Sequence, residues 1–390
     1  SSGSSFADAW ENMFGTLEYQ AVMNMEPGTE ITIDWEGGDS TIHSAAEVWR
    51  MVFDSRQPWT LSANGTVFRY DVKGIVPGLL ERWYAERKEM QAKKKTAESS
   101  EDKAFWDKRQ LVKKINLNSL YGAILNPGCR FFDQRIGQST TLTGRIIAKH
   151  MDSFVNEAIT GKYDHVGDSV IYGDTDSVYF SAWPAIKEEV AAGRMEWNRE
   201  ICVQLYDTIA DGVNDSFPAF MERACHCPRD MGAIIKGGRE MVASKGLFIK
   251  KKRYAVLIYD LEGKRLDRDG KPGKVKAMGI DLKRSDTPKL VQDFLSSILL
   301  DVLTGHRQEH IYERVRKFKM DFKDLPAWEK GTPKRVNNLT KYTAEEQRLG
   351  KANMPGHVRA AMNWNNLKRM HQDNYSGAIV DGMKTIVCKL

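Results

Sequence analysis

The stretch Val170–Phe180, VIYGDTDSVYF, sets two aspartates between two runs of β-forming residues. Val170, Ile171 and Tyr172 lead in, and Val178, Tyr179 and Phe180 lead out; branched and aromatic side chains of this kind favour strands. Gly173-Asp174 is turn chemistry, so the stretch is predicted to be a β-hairpin. In an extended chain, side chains two residues apart point the same way, which puts the carboxylates of Asp174 and Asp176 on one side. Two carboxylates so close repel each other unless a cation lies between them. Mg²⁺ takes hard oxygen ligands from one or two carboxylates together with phosphate. The competing reading is an Asp-rich surface turn whose side chains bond their own backbone. These eleven residues leave both readings open.

The surrounding chain narrows them. It has 390 residues, enough for two or three domains, with 41% hydrophobic and 28% charged residues, the composition of an ordinary globular protein. Its net charge of +6 is compatible with a nucleic-acid partner. The five cysteines form no CxxC pair, which predicts reduced thiols in a cytoplasmic setting. Cys225, His226 and Cys227 stand together but have no second ligand pair at zinc spacing, so a packed or surface segment is expected there. No apolar run approaches membrane-spanning length, and no membrane partner is expected.

Upstream of the hairpin, the sequence from Gly74 to Lys95 turns helical. Val76, Leu80, Trp83 and Arg87 recur at three- and four-residue steps and define one face. Pro77 suits a first helical turn. The polar stretch KKKTAESSEDK then predicts a turn, and a second helix runs through KKINLNSLYG. The two helices should form an antiparallel hairpin. On the second, Lys114, Asn118 and Tyr121 are spaced i, i+4, i+7 and share a face. A cation, an amide and an aromatic ring make a poor core stripe and a good nucleotide surface; a solvated face with one inward tyrosine is the alternative. Gly122 permits close backbone approach, and Arg87 on the partner helix can reach phosphate oxygens across the groove.

A further helix is predicted over residues 141–159, more helices within 184–225, and strands from 240 to 283. There Lys250, Lys251, Lys252 and Arg253 open a strand, with Tyr254 following. A basic cluster feeding a strand suits a phosphate backbone, and Lys274, Lys276, Lys283, Arg284 and Lys289 extend the track. Asp286 as N-cap and Pro288 as an early helical residue start a helical C-terminal region. Paired carboxylates, a basic helical hairpin and a basic strand together specify phosphoryl transfer to a growing strand.

These motifs resemble those of family B DNA polymerases. YGDTDS (Tyr172–Ser177) resembles the family's catalytic metal motif, KKINLNSLYG (Lys113–Gly122) its fingers-helix motif, and KKRY (Lys251–Tyr254) the palm motif that touches primer-template. REMVASKG, MGIDLKRSDTPK (Met278–Lys289) and MPGHVRAAMNW (Met354–Trp364) are similar to the T-even-like bacteriophage group, and the likeness covers about residues 60–390. The resemblance implies an α+β fold with right-hand polymerase architecture: an antiparallel-sheet palm over residues 1–75 and 126–285, helical-hairpin fingers over 76–125, and a mainly helical thumb over 286–390. It implies two Mg²⁺ ions, with Asp176 as a principal ligand and Asp174 as a weaker one. Lys114, Asn118 and Arg87 would bind the incoming dNTP, and Tyr121 would lie under the nascent base pair. Lys251, Lys252, Arg253, Tyr254 and Gly122 would meet primer-template DNA, and Glu240 would lie near the metals. The site of action would be the cytoplasm of a bacterial host.

The sequence also departs from the family. Gln91 stands where the family often has a second basic residue after the fingers arginine, which shifts weight onto Lys114. The pattern Asp-x-x-Ser-Leu-Tyr-Pro, which supplies the family's opposing aspartate, does not occur in residues 1–113; Asp34, Glu36 and Asp39 lack its sequel. The first residue is Ser1, and the expectation is a split subunit or fragment, active only with an N-terminal polymerase/exonuclease half that carries the missing aspartate, with a sliding clamp as a further partner. A reverse-transcriptase-like enzyme is disfavoured because Thr175 separates the acids. The non-enzyme alternative is an inactive primer-template or single-strand DNA-binding module that keeps the polymerase fold.

Overall fold

The computed structural model describes residues 26–35, 37–51, 56–280, 282, 287–349 and 353–388. Helices and small antiparallel sheets alternate along the chain, an α+β arrangement. The chain divides into two compact units, Ser1–Gly238 and Arg239–Leu390.

The first unit opens with the ribbon β1 (Glu30–Asp34) and β2 (Ser40–Ser44) and a short helix α1 (Ala45–Trp49). Ser44 and Glu47 start α1 as a reciprocal capping box, each side chain meeting the other's backbone N–H. A second ribbon pairs β3 (Trp59–Leu61) with β4 (Val67–Arg69). Then come α2 (Ile75–Thr96) and α3 (Ser100–Ile124), joined by three residues and packed side by side. The antiparallel helical hairpin expected from sequence is therefore present. Its lysines 93–95 belong to the last turn of α2 rather than to the loop, where cations meet the negative end of the helix dipole. Ser99 caps α3 by accepting from the Asp102 N–H.

The core of this unit is built by α4 (Gln134–Thr160) and α6 (Arg199–Cys225), with the hairpin β5 (Val170–Asp174) and β6 (Ser177–Phe180) and the short α5 (Trp183–Ala191) and α7 (Arg229–Gly232). Asp133 caps α4 at one end, and Gly161, at φ 76°, lets it stop at the other. Ile146, Phe220, Met221 and Cys225 form one buried cluster, and Val155, Ile209, Val213 and Phe217 another. Of the packed and surface readings, Cys225 takes the packed one; burial pushes its thiol up to about 12, out of the reactive range.

In the second unit β7 (Met241–Lys250), β8 (Arg253–Leu261), β9 (Lys264–Arg265) and β10 (Lys274–Met278) form an antiparallel sheet with β8 between β7 and β10. Every residue of β8 from Tyr254 to Asp260 is buried, the signature of a central strand covered on both faces. The helix α8 (Lys289–Thr304) lays Leu295, Leu299 and Leu303 against Ala255, Leu257 and Ala277. Pro288 is the N-cap of α8 rather than a residue inside it; Asp286, Lys283 and Arg284 lie outside the described residues. The chain ends with α9 (Gln308–Asp324), α10 (Ala327–Lys330), β11 (Thr332–Arg335), α11 (Leu339–Leu349), α12 (Gly356–Met370) and β12 (Lys384–Val387), where β11 pairs with β12 and Val336, Val358 and Ala361 are buried together.

Candidate active site

The aspartate stretch is a hairpin, but its turn is two residues later than the sequence suggested. Gly173 pairs with Val178 and Asp174 with Ser177, so Gly173 is a strand residue and the turn consists of Thr175 and Asp176. Thr175 adopts φ 55°, a conformation that a β-branched residue rarely takes. The Asp176 N–H reaches the Asp174 carbonyl at 2.6 Å, closing the turn over two residues. The extended-chain argument for two parallel carboxylates therefore does not apply. Asp174 ends a strand and is half-buried, whereas Asp176 stands exposed in the turn. The physical cause is register: Tyr172 and Tyr179 face each other with ring centroids 5.7 Å apart, a cross-strand aromatic pair, and a bulge at Ile171 shifts the pairing beyond it.

The unit's core holds this hairpin from one side. Phe180 packs into the α4–α6 cluster and meets Tyr206 edge-on at 5.2 Å. The buried Asn156 of α4 accepts from the Ser169 hydroxyl at 2.8 Å and donates to the Lys162 carbonyl at 2.9 Å, fastening the loop that enters β5. Asp152, one turn earlier on α4, lies beside Gly173. Burial raises its carboxyl to about 7, and its Oδ1 is buried without a hydrogen bond. Sequence reasoning missed Asp152, because an acid within MDSFV carries no local signal of what faces it. Asp174 accepts from the Thr175 hydroxyl at 3.2 Å. The Asp176 carboxylate makes no hydrogen bond or ion pair among the described residues.

On the helical hairpin, Val76, Leu80, Trp83 and Arg87 are all half-buried against α3, as their spacing requires. Arg87 Nε donates to Gln110 Oε1 at 3.3 Å. Lys113 pairs with Glu86, holding that carboxyl below its ordinary range, and its ammonium lies 5.8 Å from the Trp83 ring. Its neighbour Lys114 is exposed, as are Asn118, Tyr121 and Gly122. Lys114 makes no ion pair among the described residues. The Tyr121 hydroxyl meets Thr141 Oγ1 at 2.5 Å, tying the end of α3 to α4.

The basic cluster also differs from expectation. Lys250 ends β7 and Arg253 opens β8, so Lys251 and Lys252 form the turn between the two strands rather than the start of one. Lys252 is left-handed, at φ 63°. Lys251, Lys252 and Arg253 are exposed, whereas Tyr254 is 8% exposed and stacks on Phe248 at 5.6 Å. Glu240 is bound to Lys276 at 2.9 Å.

Residues 46–208, which include the helical hairpin and the aspartate hairpin, match the family model of DNA polymerase family B. The chain is 28% identical over 293 residues to the DNA-directed DNA polymerase of Enterobacteria phage T4, and 27% identical over 291 residues to that of Escherichia phage RB69. Each alignment covers 72% of this chain and 31% of the relative. A DNA polymerase delta catalytic subunit of Oryza sativa subsp. japonica is 30% identical over 233 residues, which cover 59% of this chain and 18% of that protein. Over the matched part the chain is thus similar to the family B DNA polymerases, with two T4-like phage enzymes among its relatives. The chain spans about a third of the length of these phage relatives. No described helix is long and apolar enough to cross a membrane.

Proposed function

We propose that this chain is the fingers, palm and thumb portion of a phage-type DNA-directed DNA polymerase, joining dNTPs to a primer 3′-hydroxyl under a template. The observation that carries the reading is the β5–β6 hairpin, with Asp174 and Asp176 at its tip, inside the segment that matches the family. In this reading α2–α3 are the fingers, residues 1–75 and 126–285 the palm, and 286–390 the thumb.

The donors at the hairpin are all hard oxygens, and the Asp176 carboxylate has no protein partner among the described residues, so the residues fit Mg²⁺. Two bound Mg²⁺ ions would supply charge neutralisation for the attacking hydroxyl and the leaving pyrophosphate. Asp176 and Asp174 would hold them. Lys114 and Asn118 offer an exposed cation and amide to the triphosphate. Arg87 keeps its terminal nitrogens for phosphate while Nε stays on Gln110. Tyr121, fixed through Thr141, offers its ring face to the nascent pair and leaves room at Gly122. Lys251, Lys252 and Arg253 hold the primer-template backbone, and Tyr254 anchors their turn from below by stacking on Phe248. The opposing acid is assigned to an N-terminal polymerase/exonuclease partner, because the family's other aspartate pattern does not occur in residues 1–113; a sliding clamp is a further partner, and the bacterial cytoplasm the place of action.

Mg²⁺-dependent primer extension tests this, run with the chain alone and with the N-terminal half of a related phage polymerase. Extension that Asp176→Asn abolishes is the expected result. Duplex binding without extension in either mixture, unchanged in Asp176→Asn, would replace the enzyme with a binding module.

A further inference from the structure

DNA synthesis makes no use of one group of side chains in the second unit. Where α8 gives way to α9, Asp301, His306 and His310 each bring one ligand atom to within 4.8 Å of the others. The sequence DVLTGHRQEH builds this cluster. Gly305, at φ 85°, ends α8 in the left-handed conformation and turns the chain at once. His306 then comes back to the last turn of α8, and His310 falls in the first turn of α9.

Three contacts prepare these groups for a cation. First, the Thr304 hydroxyl donates to the Leu300 carbonyl at 2.8 Å. Its oxygen, 3.0 Å from His306 Nδ1, is thus left to accept. The Asp301 carbonyl, 3.3 Å from the same nitrogen, can only accept. Nδ1 of His306 therefore carries the proton and Nε2 keeps its lone pair, the arrangement that outer hydrogen bonds impose on metal-binding imidazoles. Second, His310 Nε2 lies 3.8 Å from Asp301 Oδ2. That is too far for a hydrogen bond, and a small movement from the spacing of two ligands on one ion, each bound at about 2.0–2.1 Å. Third, Arg314 Nη1 bonds Asp301 Oδ2 while its Nη2 donates to Ser297 Oγ at 2.8 Å. A carboxylate oxygen has two lone-pair directions, so Arg314 orients Asp301 without exhausting it.

The Asp301 side chain is 13% exposed and that of His310 46%. The anionic ligand is thus sheltered while the imidazoles face solvent, which leaves a coordination position for water. Two imidazoles and one carboxylate suit Zn²⁺ and its neighbours rather than Mg²⁺, which prefers oxygen alone. The Arg314 guanidinium beside the carboxylate offsets its charge and keeps the affinity modest.

We propose that Asp301, His306 and His310 form a binding site for a Zn²⁺-class transition metal that clips the turn between α8 and α9. The test is calorimetric titration of Zn²⁺ into the full chain, stripped with EDTA and held in excess Mg²⁺, with thermal unfolding in parallel. One equivalent should bind at micromolar concentration and raise the unfolding temperature. His306→Ala and His310→Ala, both at exposed positions, should each weaken binding at least ~10-fold. Cys227→Ser should leave it unchanged, which separates this site from the Cys225–Cys227 segment. No binding below ~1 mM, binding that survives both histidine substitutions, or binding lost in Cys227→Ser would each overturn the proposal.

Discussion

Asp152 and Gly173 face each other near the tip of the aspartate hairpin: a β-carbon on Gly173 would stand 3.6 Å from Asp152 Oδ2 and 3.8 Å from Oδ1. A carboxyl group thus lies under the strand that ends in Asp174. Burial, not a neighbouring charge, is the cause that raises it to about 7.

This carboxyl destabilises the fold once it is charged. With a folded pKa near 7 against an unfolded value of 3.8, the folded state holds more protons between those two values. Stability therefore falls as pH rises through that window, and the cost of the buried charge is complete above about pH 7. Asp152→Asn should be more stable than the parent at pH 8, on the order of 1–2 kcal/mol once partial exposure is allowed for, and no different at pH 4. Urea denaturation at the two pH values checks this. Equal stabilities at pH 8 would remove the buried-charge argument.

His150, two residues before Asp152, titrates the other way. Its Nδ1 lies 2.5 Å from the Tyr163 hydroxyl and its Nε2 2.8 Å from Ser216 Oγ, and its ring stacks on Phe220 at 4.0 Å. Burial lowers it to about 4 from 6.5. The unfolded state then binds more protons between those values, so this stabilisation is complete above pH 6.5 and is lost as pH falls toward 4. In the parent the two residues offset each other. Asp152→Asn should unmask His150 and show a steeper loss of stability on acidification from pH 6.5 to 4 than the parent does. A parallel pair of curves would contradict it.

Much of the scaffold was legible because periodicity reports burial directly. The stripe Val76, Leu80, Trp83, Arg87 needed only a second helix to cover it, and the short polar loop placed that helix alongside. The turns were not legible to the residue. Gly173-Asp174 is a stronger local turn signal than Thr175-Asp176, yet pairing of Tyr172 with Tyr179 and the bulge at Ile171 decide the register, and these depend on contacts between strands. Likewise Lys251 and Lys252 read as a strand start only because nothing local marks a two-residue turn between β7 and β8. Asp152 and the Asp301–His306–His310 group were invisible for a different reason: each depends on what another element brings beside it.

Thr175 supplies a direct test of the turn. At φ 55° a β-branched residue is strained, and Asn tolerates that region far better. Thr175→Asn should stabilise the chain by about 0.5–1 kcal/mol, read as a raised denaturation midpoint at unchanged slope. A lower midpoint would mean that the Thr175 hydroxyl on Asp174 outweighs the backbone strain.

Adjacent lysines on α3 should separate structure from chemistry. Lys113 is committed to Glu86 and Trp83, whereas Lys114 faces solvent. Lys113→Ala should lower the unfolding temperature of the chain and leave the apparent KM for dNTP near the parent value. Lys114→Ala should do the reverse, raising that KM about 10–100-fold, the loss of one charge-assisted phosphate contact of roughly 1.5–3 kcal/mol. Both are measured in whichever mixture extends a primer. Equal effects on KM would remove the special role given to Lys114.

The basic turn depends on a glycine outside its own motif. Gly279, just after β10, adopts φ 63°, and a β-carbon there would stand 2.0 Å from the Lys252 carbonyl oxygen. That neighbour is backbone, so it cannot rotate away. Gly279→Ala must either displace the Lys251–Lys252 turn or break the local pairing of Met278 with Tyr254. Strain at a positive φ together with this clash should cost about 2–4 kcal/mol. Duplex affinity should fall more than in a Lys252→Ala single variant, because the whole turn moves rather than one charge being lost. Its salt dependence should flatten as phosphate contacts disappear. Fluorescence anisotropy with a labelled primer-template across a salt series reads both. Unchanged affinity in Gly279→Ala, with the fold intact by circular dichroism, would show that the turn between β7 and β8 is not where this protein holds DNA.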